Sequence, residues 1–134
     1  MAFLLTALTT KAAIDEAVLG TKNKVLVLRF GRSCDPVCLQ MDDIMARCEP
    51  ELARQAKICT VDVDLDESEV YCHYFDISLI PATVFFYNGQ HMKIDFRTPD
   101  YNKFIGAFHC KQDFLDLVEV RRPHAFHDVT ISMM

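Results

Sequence analysis

Thiols and carboxylates are the side chains of this 134-residue chain best suited to chemistry, and two of the thiols bracket an acid. Cys34 and Cys38 enclose Asp35, Pro36 and Val37 in the run Cys-Asp-Pro-Val-Cys. Asp35 followed by Pro36 is a strong helix start: a carboxylate there accepts a backbone N–H, and proline fits the first turn without losing a hydrogen bond. A thiol at such a start feels the positive end of the helix dipole, which favours the thiolate, the form that attacks disulfides. Residues four apart near a helix start also come within disulfide reach, so Cys34 and Cys38 are candidate redox residues. Cys48, Cys59, Cys72 and Cys110 lie in apolar stretches and read as small buried hydrophobes. The five His do not join them at zinc-finger spacing. Asp62, Asp64 and Asp66 alternate as a divalent-cation site would require, but acids at a strand end more often form a solvated edge. No metal and no cofactor is expected.

These residues need elements to position them. Thr9 or Thr10 caps a helix running to about Leu19, with Ala13, Ile14, Ala17 and Val18 on its buried stripe. Lys24 to Phe30 is a short, nearly continuous apolar run, the mark of a strand covered on both faces. From Asp35 onward, Cys38, Met41, Ile44, Met45, Cys48 and Leu52 recur at helical spacing. Ala56 to Val63 reads as a second central strand and Glu67 to Phe75 as a short helix. Ala82 to Tyr87, the turn Asn88-Gly89, and His91 to Phe96 make an antiparallel hairpin, because Asn-Gly supplies the positive φ angles of a tight turn. A last helix spans about Lys111 to Val120. Pro123 stops it, and the remainder lacks periodicity. Helices that alternate with strands and precede a hairpin imply an α/β class with a central mixed sheet.

Composition narrows the function classes. Only 4 Gly and 5 Pro, with 51% apolar residues, fit one compact domain rather than two domains or a disordered chain. A net charge of -5 works against binding nucleic acid by electrostatics alone. Lys103, Lys111, Arg121 and Arg122 put modest positive charge near the end, without interleaved aromatics, and read as solvated surface. Direct nucleic-acid contact is not expected. The opening Met-Ala-Phe-Leu-Leu-Thr-Ala-Leu is too short an apolar run for a signal peptide or a membrane span, so no membrane association and a cytosolic or nuclear chain are expected.

The stretch from Tyr74 to Gln90 resembles the thioredoxin superfamily segment in which an Ile-Pro peptide precedes the hairpin, and the resemblance implies that Ile80-Pro81 is cis. It also places the family's redox motif on Asp35-Pro36-Val37-Cys38, so the second cysteine survives as Cys38 and the first is replaced by Asp35. An aspartate keeps the negative charge at the helix start but cannot attack a disulfide. Arg29 stands where active thioredoxins carry a buried acid.

More specifically, VLVLRFGR, DPVCLQMDDI, VDVD, YFDISLIPATVFFYNGQHMKID and KQDFLDLVEV resemble the thioredoxin-like protein 4 family, the spliceosomal Dim proteins, and most closely its 4B branch. This implies a thioredoxin-like three-layer domain over residues 1–120. It also implies a nuclear, non-catalytic interaction protein of the pre-mRNA splicing machinery, linked to tri-snRNP function and cell-cycle progression. The partners implied are spliceosomal proteins of the tri-snRNP, including a large repeat-containing splicing factor, together with a second copy in a homodimer. Asp35, Pro36, Cys38, Ile80 and Pro81 are the motif-equivalent positions. The competing reading is a thiol-disulfide oxidoreductase using Cys38 with Cys34. Two departures stand out: Cys34 replaces the Asp or Trp of the family pattern, and Arg121 to Met134 is a divergent C-terminal tail.

Overall fold

A computed structural model describes residues 5–94, 103–108, 112, 114–115, 118 and 131–133. In chain order the elements are β1 (Thr6–Leu8), α1 (Lys11–Gly20), β2 (Val25–Gly31), α2 (Pro36–Leu52), β3 (Ala56–Asp62), α3 (Glu69–Tyr74), β4 (Ala82–Tyr87), β5 (Gln90–Ile94), β6 (Phe104–Ile105) and β7 (Ile131–Met133). The sheet order is β1-β3-β2-β4-β5-β7, with β6 added to β4. The first three strands in this order run parallel, and β4 turns the sheet antiparallel against β2. Helical crossovers between parallel strands, followed by a hairpin, produce the mixed α/β sheet that the pattern of elements implied.

Local chemistry accounts for the main elements. The Thr10 side chain accepts from the Ala13 N–H at 3.0 Å and starts α1, which buries Ile14, Ala17 and Val18 and leaves Ala13 half-buried. All seven residues of β2 are buried, as an apolar central strand requires. Asn88 and Gly89 take φ of 50° and 83°, so the hairpin closes through a turn that only such residues tolerate well. The Asn88 side chain also accepts the Asn23 N–H at 2.7 Å, tying this turn to the loop before β2.

Alternation along the strands separates two cores. Val25, Val27, Ile58 and Phe85 pack with Met41, Ile44 and Met45 of α2 on one side. Leu26, Leu28, Phe30 and Val84 pack with Ile14 and Val18 of α1 and with Phe75 on the other. The result is three layers, with α2 on one face of the sheet and α1 and α3 on the other.

Several elements depart from the sequence reading. The helix expected over Glu67–Phe75 begins as a 3₁₀ turn, Asp66–Ser68, before α3 proper. The Ser68 hydroxyl bonds the Asp62 and Leu65 carbonyls at 2.8 and 2.9 Å, which tightens this entry. The residues described in the last helix, Gln112, Phe114, Leu115 and Val118, are helical, and Phe114 and Val118 are buried in the α2 core. Phe96, Cys110, Lys111, Arg121 and Arg122 lie outside the described residues. Lys103, read as solvent-facing, is buried, because β6 directly after it is drawn onto β4. The C-terminal segment read as an aperiodic tail contributes β7, which pairs antiparallel with β5 from Met92 to Ile94.

Candidate functional site

The candidate site lies where β2 ends and α2 begins. Asp35 is extended, with φ -80° and ψ 127°, and its carboxylate accepts the Cys38 N–H at 2.9 Å. Pro36 follows in the first helical turn. This bond holds the Asp35 carboxyl below its usual range, with the nearby Arg32 charge acting in the same direction. The expected capping arrangement is therefore present, and its acid has a structural occupation.

Cys38 faces inward. It is fully buried, and its sulfur accepts the Arg32 backbone N–H at 3.5 Å. Burial pushes its thiol pKa up despite the Arg32 N–H and the Arg29 charge, which is the reverse of what a nucleophile requires. Cys34 is exposed, and both sulfurs are free thiols. Cys59 and Cys72 are also shifted upward, by burial in each case. Ile80-Pro81 is cis, Pro81 is buried, and its carbonyl accepts the Gly106 N–H at 2.8 Å.

The space around Cys38 is shaped by Gly31 and Arg29. A Cβ on Gly31 would fall 2.5 Å from the Cys38 sulfur and 2.8 Å from a terminal nitrogen of Arg29, so glycine is required by crowding. Arg29 lies almost fully buried in β2 and donates two bonds to Asp42 of α2, at 2.7 and 2.6 Å. A fork-to-fork pair of this kind satisfies a guanidinium that would otherwise be costly to bury. Sequence reasoning identified Arg29 as unusual but missed Asp42. The signal was available: an arginine in an apolar central strand needs an acid, and Asp42 lies one turn beyond Cys38 on the same inward stripe.

The alternating acids do not converge. Asp64 pairs with Arg32 at 2.9 Å, while Asp62 accepts the Asp64 N–H at 2.8 Å. Among the described residues no group of three or more His, Cys, Asp or Glu is placed to hold a metal ion. Nor is any described helix long and apolar enough to cross a membrane. Chemically, the motif region offers a capped helix and a buried thiol whose pKa is raised.

Residues 4–131 match the family model of mitosis protein DIM1. The chain is 58% identical over 120 residues to human thioredoxin-like protein 4B, covering 90% of this chain and 79% of the relative. It is 31% identical to mitosis protein dim1 of Schizosaccharomyces pombe, over 89% of this chain and 82% of the relative. Spliceosomal protein DIB1 of Saccharomyces cerevisiae shares 29% identity, over 87% and 80% of the two chains. Among solved structures, Fasciola hepatica thioredoxin superposes with a TM-score of 0.66 at 18% identity, over 86% of this chain and 97% of its own. The Drosophila germline thioredoxin Deadhead gives 0.68 at 16%, with the same coverage. Those two likenesses establish the thioredoxin fold.

Proposed function

The chain belongs to the DIM1 family, and from that premise we propose that it is a thioredoxin-fold interaction protein of the pre-mRNA splicing machinery, with a link to cell-cycle progression. It acts by binding rather than by catalysis. The observation that carries this reading is the exchange at the start of α2: a capping carboxylate, Asp35, stands at the nucleophile position, and the one thiol of the motif, Cys38, is buried and held protonated. A helix start so arranged stabilises the fold and leaves no thiolate to open a disulfide.

The partners that fit this reading are tri-snRNP proteins, including a large repeat-containing splicing factor, and a second copy of the chain in a homodimer. The compartment is the nucleus. Asp35, Pro36, Cys38, Ile80 and Pro81 serve as the architecture of the old redox corner. The test is capture of partners from nuclear extract by the intact chain and by Cys38→Ser, under reducing and non-reducing conditions. Equal recovery of splicing proteins by both forms is expected. Partners released only by reductant, and lost with Cys38→Ser, would instead establish a thiol enzyme using Cys38 with Cys34.

A further inference from the structure

A second concavity lies on the opposite layer from α2. It is a groove of about 350 Å³ between α3 and the β4–β5 hairpin, lined by Val70, Tyr71, Tyr74, Phe75, Phe86 and His91. Its floor is an aromatic cluster: Phe75 meets Tyr74, Phe86 and His91 edge-on, with ring centroids 4.9, 5.9 and 4.8 Å away. Its upper wall is unusually bare for a soluble surface, since Val70 is 58% and Tyr74 62% exposed. Leu19, itself 64% exposed, borders the same place, because its side chain approaches within 3.8 Å of where a Cβ on Gly89 would stand. Contiguous exposed apolar side chains of this kind mark a contact surface rather than a scattering of surface residues.

Charge identifies the occupant. The stretch from Val70 to His91, which supplies the groove lining, contains no Lys or Arg. Asp66, Glu69 and Asp76, which flank or belong to α3, are all exposed. We propose that the α3–hairpin groove is a docking site for a partner peptide that inserts a large apolar side chain flanked by Lys or Arg. The apolar floor takes the anchor, and the surrounding carboxylates select the basic flanks and repel competing acidic segments. The same field disfavours an RNA phosphate chain or an anionic membrane. It also disfavours a two-fold pairing of this face with itself, which would bring two sets of these exposed carboxylates together.

The proposal rests on the reading of this protein as a binding module and locates one binding face. It is tested by selecting a random dodecamer peptide library on the full chain, then measuring enriched synthetic peptides by fluorescence anisotropy. Selected peptides should share a large apolar residue beside at least two basic ones and bind more weakly as salt rises. Tyr74→Ala and Val70→Asp should each weaken them by about tenfold or more. Glu69→Lys, which leaves the apolar floor intact, should weaken basic-flanked peptides selectively. Acidic or patternless selections, or binding unchanged in Tyr74→Ala and Val70→Asp, would overturn the groove. So would loss of self-association in Val70→Asp, since the occupant would then be a second copy. Splicing proteins still captured by a chain that fails these tests would sink the groove proposal alone. Loss of that capture in the intact protein would sink the wider reading.

Discussion

The start of α2 and the groove beside α3 are both concave regions of one small thioredoxin fold, yet they treat their polar and apolar groups in opposite ways. At α2 the chemistry is turned inward: Asp35 bonds the helix it begins, Arg29 is spent on Asp42, and the Cys38 sulfur is buried. At α3 the apolar groups are turned outward, with Val70 and Tyr74 more than half exposed above an aromatic floor. On the docking proposal, a thioredoxin fold keeps the geometry of its redox corner as internal support and gives partner contact to a different face. The contrast predicts that substitutions at α2 act on stability and substitutions at α3 act on binding.

Asp42→Ala should test this most severely. It leaves the Arg29 guanidinium buried without its carboxylate and should cost about 3–5 kcal/mol in urea unfolding. Replacing both partners together, as Arg29→Met with Asp42→Leu, should recover most of that loss. A small effect of Asp42→Ala would mean that water reaches the pair and that the corner is less closed than its distances imply.

Gly31→Ala comes next, at about 1–3 kcal/mol, because the new methyl must displace either the Cys38 sulfur or the Arg29 side chain. Adding Cys38→Ala should return part of the stability, which would identify the sulfur as the obstacle. An unchanged unfolding midpoint in Gly31→Ala would show that the backbone yields easily there.

Acid titration should produce a smaller effect of defined sign. The pKa values of Asp35 and Asp15 are lowered, the first mainly by the Cys38 N–H and the second mainly by bonds from Lys11 and Tyr71. A depressed carboxyl stabilises the fold fully above its unfolded pKa, near 3.8, and the contribution disappears as pH falls through the lower folded value. Asp35→Ala should therefore lower stability at neutral pH and flatten its fall below pH ~4, while Asp35→Ser, which can still cap, should retain more of the neutral-pH stability. Identical acid profiles for the intact chain and Asp35→Ala would remove the carboxylate's role at the helix start. The smallest stability effect belongs to Tyr74→Ala, within about 0.5 kcal/mol, because its side chain is mostly solvent-facing. A large loss there would make the groove part of the core and erase the contrast.

The two regions also differed in how legible they were. The α2 corner could be read almost entirely from local signals: the Asp-Pro start and the apolar recurrence from Cys38 to Leu52 both act within a few residues of themselves. Its ion pair could not, since Arg29 and Asp42 come from different elements and meet only when α2 packs on the sheet. Short strands were lost for the same reason. Thr6–Leu8, Phe104–Ile105 and Ile131–Met133 are two or three residues long, and each is a strand only because a distant partner supplies the ladder. The groove needed α3, the hairpin and the end of α1 assembled together, so no local signal in the sequence marked it.

The placement of β7 has one more consequence. An outer strand presents a row of backbone donors and acceptors that can recruit a foreign strand, and proteins guard such borders against unwanted polymerisation. By lying alongside β5, the residues Ile131–Met133 occupy that border over Met92–Ile94. A segment of only three residues thus serves as a selvedge, covering the β5 border and leaving just its own short edge outermost on that side among the described strands.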